Sequence, residues 1–333
     1  MAQENVVPGS LYIYAPNKWA PIIFTFGFTI SGLFHLWQCH RYKCFKLMWL
    51  HIACCIMFTI GFATREYGAF NYMDSDANLA VYIVSTCMIY MAPPILELAN
   101  YHILGHVLYY IPYHSPMHPG RVFTTFGMLS TIVEVMNALG VSNLANHKLP
   151  ESRRKTGEIL MKASLIVQVG VLLLFCVLAA IFQRRCVRDG IWTRRVSVPL
   201  WTLYISTFLI LIRCVYRIVE HFGFSSLGPE SLKDGEEISY ILRYEWFFYV
   251  FEAAVMLVNT LMWNLWHPRR YLPQHKSTYL AQDGITELEG PGWKDNRPWL
   301  VTLIDPFGWL DSKDDKPPFW ETNGYAKVYN EHF

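Results

Sequence analysis

Seven long apolar stretches dominate this chain and restrict its fold more than any other feature. They run over about Trp19–Trp37, Phe45–Ala63, Leu79–Leu104, Val122–Val141, Glu158–Phe182, Leu200–Val219 and Tyr244–Trp266. Each is long enough to cross a bilayer as a helix, and short polar loops join them. A lipid environment leaves the backbone no water to bond with, so segments of this length and composition must be helices. Composition agrees. The 333 residues are 53% hydrophobic and only 16% charged, against the ~25% charged residues of ordinary soluble domains. The expected fold is all-α: a seven-transmembrane helical bundle over 19–266, preceded by an extracellular N-terminal segment, 1–18, and followed by a tail, 267–333.

Basic residues set the orientation. Arg41, Lys43, Lys46, Arg121, Arg184, Arg185, Arg188, Arg194, Arg195, Arg269, Arg270 and Lys276 flank alternate ends of the spans, and this shared side is expected to be cytoplasmic. Acidic loops (Asp74, Asp76; Glu230, Asp234, Glu236, Glu237) lie on the other side, with Lys148, Arg153, Arg154 and Lys155 as the exception. The N-terminus is therefore placed outside and the C-terminus in the cytoplasm. Met1–Ser10 lacks the basic start of a cleavable signal. The eight cysteines suggest free thiols, and there is no N-x-Ser/Thr sequon.

Charges inside the spans are costly and face a bundle interior or a functional cavity. Arg213, Arg217 and Glu220 share one face of span six by their i, i+4, i+7 spacing. Glu245, Tyr249, Glu252 and Met256 do the same on span seven. Span two ends in Arg65-Glu66. Span three carries Pro93-Pro94, expected to kink or open the helix, then Glu97, Asn100 and Tyr101, and span four carries Glu134 and Asn137. With the N-terminus outside, most of these groups fall in the outer half, and carboxylates outnumber the three arginines. Two readings follow. The pairs fix helix register, or the surplus carboxylates with Arg65, Glu97, Tyr101, Glu134, Asn137, Arg213, Arg217, Glu220, Glu245, Tyr249 and Glu252 bind an amphiphile headgroup. The second reading is preferred for the cluster as a whole.

His102-x3-His106 and His114-x3-His118 have the spacing of paired metal ligands, and a zinc-dependent membrane hydrolase is the rival reading. Prolines 112, 116 and 119 break helicity around the second pair, and interfacial histidines explain both pairs more simply. The chain is read as a non-enzyme without cofactor, whose partners are membrane lipids or amphiphilic small molecules and not nucleic acid. A seven-span lipid sensor or receptor shares the topology. No G-x4-G-K-[ST] phosphate loop supports ATP-driven pumping. The tail is rich in Pro, Gly and charge and is expected to be mostly poorly ordered, apart from apolar patches at Trp299–Ile304 and Pro306–Leu310 suited to the headgroup layer.

From Tyr14-Ala-Pro16 to His267-Pro268 the chain resembles the fungal lipid-translocating exporters, the RTA-like (resistance to aminocholesterol) proteins. Ala92-Pro93 with Ala99 and Tyr101, Gln168, Arg213-x3-Arg217-x2-Glu220 with Gly223, and Glu245-x3-Tyr249-x2-Glu252 carry the resemblance. It implies seven spans, an exofacial N-terminus, a plasma-membrane location and export of lipids or sterol-like amphiphiles that confers resistance to toxic ones. The chain departs from the family's pattern at Gly127, Glu134, Asn137-Ala138, Glu252 and Val255, which suggests a shifted polar site in span four.

Overall fold

The computed structural model describes residues 16–71, 75–145, 150–225, 244–293, 297–298, 301–302, 305, 319–321 and 325–327. Seven helices long and apolar enough to cross a membrane form one bundle. They are α1 (Ala20–Tyr42), α2 (Phe45–Phe70), α3 (Asp76–Tyr110), α4 (Pro119–Ala145), α5 (Glu151–Arg188), α6 (Arg194–Ser225) and α7, which begins at Trp246 and ends at Leu265. Each overlaps an expected span, and most run beyond it at both ends, because polar residues at the headgroup level continue the helix outside the hydrocarbon. The acidic loop over 230–237, Asp74, Lys148 and most of the N-terminal segment lie outside the described residues.

Local sequence sets the helix ends. Asn17 accepts the amides of Trp19 and Ala20 at 2.8 and 3.1 Å and Pro21 follows in the first turn, a favourable helix start. Lys43 ends α1 in the left-handed region at φ 50°, so only Lys43 and Cys44 separate α1 from α2. Ser75 caps α3 by accepting the Asn78 amide at 3.3 Å. Helix α3 runs unbroken through Pro93-Pro94, where the sequence suggested an opening. Helix α7 changes pitch: one α-turn, Trp246–Phe248, leads into a π-helical segment, Tyr249–Ala254, before α-geometry resumes over Val255–Leu265.

Large apolar side chains such as Ile23, Phe26, Leu33, Leu173 and Trp201 cover the outside, and polar and charged ones including Arg213, Arg217, Glu97, Asn259 and His51 are buried within. This is the expected arrangement for a bundle in lipid. Helix α2 lies between α1 and α3, and α4 packs along α5. Glycines permit two of these approaches. A Cβ on Gly61 would sit 2.6 Å from Ile89 on α3, and one on Gly140 would meet the Gly157 carbonyl of α5 at 2.8 Å. Small residues at helix crossings let backbones approach where no hydrophobic effect drives association.

The turns after α1, α3 and α5 and the chain after α7 share one end of the bundle, here termed the tail end; the opposite face is the far end. All twelve basic residues named above flank the tail end. The tail itself carries order that its composition did not suggest. Strands β1 (Thr278–Leu280), β2 (Glu287–Glu289) and β3 (Ala326–Lys327) form an antiparallel sheet in the order β1-β2-β3, with Tyr279 opposite Leu288 and Leu288 opposite Lys327. The β1–β2 connection turns at Asp283-Gly284. Asp283 accepts the amides of Ile285 and Thr286 at 2.9 Å, and Gly284 adopts φ +71°, as such turns require. Glu287 anchors the sheet to the bundle by accepting the Tyr110 hydroxyl at 2.8 Å and pairing with Arg195. Of the patch at Trp299–Ile304 only residues 301–302 are described, and the patch at Pro306–Leu310 lies outside the described residues.

Gly140→Ala is expected to cost about 1–3 kcal/mol through overpacking, because the new methyl meets backbone atoms that cannot rotate away. Gly170→Ala, whose Cβ meets nothing within 4 Å, serves as the control. Thermal unfolding in detergent checks this, with a lower midpoint expected for the first variant alone.

Candidate functional site

Intramembrane charge collects in three groups. The first closes the far end between α1, α2 and α7. Arg65 donates to Glu245 at 2.8 Å and to the Tyr249 hydroxyl at 3.3 Å, and Tyr249 donates to Glu245 at 3.0 Å. The second Glu245 oxygen accepts the Asn17 amide at 2.7 Å. The Phe248 ring lies 4.4 Å from the Arg65 guanidinium, adding a cation–π contact to the ion pair.

The second group lies between α3, α6 and α7. Glu252 is wholly buried and takes Arg213 on one oxygen at 2.9 Å and Arg217 on the other at 3.1 Å. Arg217 also pairs with Glu220, which accepts the Tyr216 hydroxyl at 3.2 Å. A backbone feature adds a weak contact for Arg213. Pro94 has no amide proton to donate to the carbonyl four residues earlier, and that carbonyl, on Tyr90, accepts from Arg213 at 3.5 Å. The Tyr90 ring lies 3.4 Å from the Arg217 guanidinium. The proline pair thus gives α6 a binding point on α3 without breaking α3. The π-helical turn matters equally. Even α-helical spacing placed Glu245, Tyr249 and Glu252 on one face, whereas the widened turn joins the first two to Arg65 and directs Glu252 to Arg213 and Arg217. Such turns recur at functional sites.

The third group lies between α3, α4 and α5. Glu97 accepts Gln168 at 2.7 Å and, weakly, the Tyr101 hydroxyl at 3.5 Å, and Tyr101 meets Ser130 at 3.2 Å. Glu134 is half-buried one turn beyond Ser130 on α4, and Asn137 is half-buried a further turn along. Glu97 lies in the electrostatic field of both Glu134 and Arg213. Neither Glu97 nor Glu134 forms an ion pair among the described residues.

These groups sort the eleven candidate residues. Arg65, Glu245 and Tyr249 meet at the far end; Arg213, Arg217, Glu220 and Glu252 form the central network; Glu97 and Tyr101 stand beside it, and Glu134 and Asn137 line α4. Sequence reasoning missed Tyr90, Gln168 as a Glu97 partner, Ser130 and Tyr216. Pro94 was the available signal for Tyr90, since a helical proline always frees the carbonyl four residues back. The histidine pairs separate: His102 and His106 have ring centroids 5.0 Å apart, while His114 approaches Asp189 at 3.5 Å and His118 packs on Trp293 at 4.6 Å. No group of three or more His, Cys, Asp or Glu is placed to hold a metal ion among the described residues. Outside the spans, burial pushes the His114 imidazole below its ordinary range despite Asp189. Between α1 and α2, a hydrogen bond from Cys39, aided by His267 and Arg269, holds the Cys44 thiol below its ordinary range.

Residues 51–275, which include every charged group of the three clusters, match the family described as RTA1 like protein. The chain belongs to that family. It is 48% identical over 327 residues to the lipid-translocating exporter-like protein RTA1 of Leptosphaeria maculans, covering 95% of this chain and 62% of that protein. It is also 31% identical over 277 residues to the lipid-translocating exporter-like protein RTA1 of Ajellomyces capsulatus, with 78% and 82% covered. A probable lipid transporter, atnI, of Emericella nidulans is 24% identical over 282 residues, with 79% and 69% covered. The chain therefore spans less than two thirds of the Leptosphaeria protein's length. No solved structure matches this RTA1-like chain. The family match ends ahead of β1, so the tail sheet lies beyond the part the family shares.

In this RTA1-like bundle Arg217→Ala removes two carboxylate partners and a ring contact and leaves buried carboxylates without their cation. A loss of about 3–5 kcal/mol is expected, seen as reduced yield of monodisperse protein, whereas exposed Arg184→Ala leaves yield unchanged. Arg217→Lys is expected to restore only part, because lysine cannot bridge two carboxylates through a planar fork.

Proposed function

We propose that this RTA1-like protein translocates amphiphiles bearing a cationic amine, such as sphingoid bases and aminosterols, and thereby protects the cell from them. The carrying observation is a charge imbalance inside the bundle. Arg65, Arg213 and Arg217 are matched one for one by Glu245, Glu252 and Glu220, whereas Glu97 and Glu134 have no cationic partner among the described residues. A carboxylate in a membrane interior is stabilised by a cation or by a proton, and an incoming ammonium group supplies the former. The names of the relatives, lipid-translocating exporter-like protein and probable lipid transporter, support lipid or amphiphile cargo. The arginine network, fully occupied by its own carboxylates, then acts as the rigid wall of the site, and the neighbouring apolar faces of α4 and α5 receive the tail.

The reading includes a plasma-membrane location, and the twelve basic residues at the tail end support an orientation with the far end outside. A cysteine label placed before Pro16 is expected to react in intact cells, and one at Ser277 only after permeabilisation. The opposite pattern overturns the orientation.

Cargo is tested in proteoliposomes with a fluorescent sphingoid base and its neutral N-acyl analogue, with and without a pH gradient. The amine is expected to cross faster. Glu134→Gln and Glu97→Gln are expected to slow the amine by about tenfold, the effect of losing ~1.4 kcal/mol of attraction, and to leave the neutral analogue unaffected. Lowering the pH acts in the same direction, since protonating either carboxylate removes its charge. Equal rates for amine and analogue, or unchanged amine rates in both variants, overturn the proposal.

A further inference from the structure

On the tail-end side of the arginine network, α1, α2 and α7 enclose a second polar region that none of the charge clusters uses. His51 is wholly buried, and neither of its ring nitrogens has a hydrogen-bond partner among the described residues. His35 lies beside it, with ring centroids 5.4 Å apart. One His35 nitrogen reaches the Thr260 carbonyl at 3.1 Å and the other has no partner among the described residues. Gln38 and Asn264 are joined through the Gln38 amide and the Asn264 carbonyl at 2.9 Å, yet the side-chain oxygens of Gln38, Asn259 and Asn264 are all buried and unmatched.

Six unmatched polar atoms on three neighbouring helices are too many for a dry interior. Each unsatisfied buried group costs about 1–3 kcal/mol, and their sum is comparable with the ~5–15 kcal/mol stability of a whole domain. Buried water, which makes about three hydrogen bonds per molecule, removes that cost where polar atoms converge. The far-side boundary is hydrogen-bonded: Trp263 donates to Ser206 at 3.2 Å, and Ser206 and Asn100 exchange hydrogen bonds at 2.9 and 3.1 Å. On the tail side lies His267, wholly buried, 3.8 Å from the Cys44 sulfur.

The electrostatic surroundings suit transfer of charge and not its storage. The titratable groups acting on His51 are His35 from α1, His102 from α3 and His267 beyond α7, with the thiols of Cys54 and Cys55 on its own helix and Arg213 facing them from α6. No carboxylate pairs with either imidazole among the described residues. A permanently protonated pair is therefore disfavoured. A neutral imidazole, however, can accept a proton on one nitrogen while releasing the one on the other, which moves a proton across the ring and leaves the side chain neutral.

We infer that His35 and His51 are the proton-relay site of this protein, a hydrated pocket through which protons pass between the tail end and the central polar network during transport. This rests on the translocation reading above and names the ion that drives it. The test uses the full chain in phosphatidylcholine–phosphatidylglycerol vesicles with trapped pyranine, a potassium–valinomycin clamp and an acidified exterior, with and without a sphingoid base. Wild type is expected to admit protons faster than protein-free vesicles when the amphiphile is present. His51→Gln and His35→Gln are expected to fall to the protein-free rate, while exposed His275→Gln keeps the wild-type rate. Size-exclusion elution identifies any variant that fails to fold, and His51→Asn then replaces His51→Gln. Proton entry at the protein-free level for wild type, or a folded His51 variant that conducts like wild type, overturns the inference. The same vesicles without a gradient report fluorescent-amine movement. Amine movement without proton entry leaves translocation standing and removes the relay, whereas proton entry without amine movement does the reverse.

Discussion

The arrangement of the bundle's charged core depends on one buried carboxylate, Glu252, which pairs with both Arg213 and Arg217 beside a freed backbone carbonyl, that of Tyr90. Pro94 denies it the helical hydrogen bond, and in lipid an unmatched carbonyl costs several kcal/mol. Arg213 approaches it at 3.5 Å, a weak contact, while meeting Glu252 at 2.9 Å. Glu252 in turn holds Arg217, whose guanidinium faces the ring of the same Tyr90. Helices α3, α6 and α7 are thus locked through two residues of α3, two arginines of α6 and one carboxylate of α7. Buried ion pairs seldom add net stability relative to apolar packing. Their contribution here is specificity, because a slip of any of the three helices strands a charge.

That lock also explains the unusual pitch of α7. A regular helix presents Glu245, Tyr249 and Glu252 along one stripe, and a single stripe cannot serve both Arg65 on α2 and the arginines on α6. The π-helical turn at Tyr249–Ala254 rotates the later carboxylate relative to the earlier pair, so one helix completes two ion-pair networks on different neighbours. The cost of a weakened hydrogen-bond ladder over six residues is offset by two sets of ion pairs.

Much of this was legible in the sequence, and the limits were physical. All seven spans follow from length and hydropathy, and the pairing of Arg217 with Glu220 follows from 3.6-residue periodicity. Pro93-Pro94, expected to kink or open α3, leaves it continuously helical, and the side chain on another helix that approaches the freed carbonyl is contained in no local rule. The change of pitch in α7 was equally invisible, since residue spacing assumes a constant number of residues per turn. The tail was different. Asp283-Gly284 between Thr-Tyr-Leu and Glu-Leu-Glu is a readable hairpin signal, hidden by a segment-wide composition dominated by proline, glycine and charge. Gln168 as the partner of Glu97 could not be found from spacing, because α3 and α5 meet only after the bundle assembles.

The two ends of the bundle are closed by devices of different kinds. At the far end the closure is made within the bundle: Arg65, Glu245 and Tyr249 join α2 to α7, and Asn17 brings the start of α1 to the same carboxylate. At the tail end it is made by an added element, whose Glu287 binds Tyr110 on α3 and Arg195 at the start of α6. Those two helices also carry Tyr90 and Arg213. A displacement of the sheet therefore acts on the same pair of helices that the central lock holds together, whereas opening at the far end acts on α2 and α7. Glu252 belongs to α7 and its arginines to α6, so the central network is the one place where strain from either end meets. Three of its four charges, Glu252, Arg213 and Arg217, are wholly or almost wholly buried and leave little solvent to soften a separation, and movement at one end is resisted by contacts that also define the other.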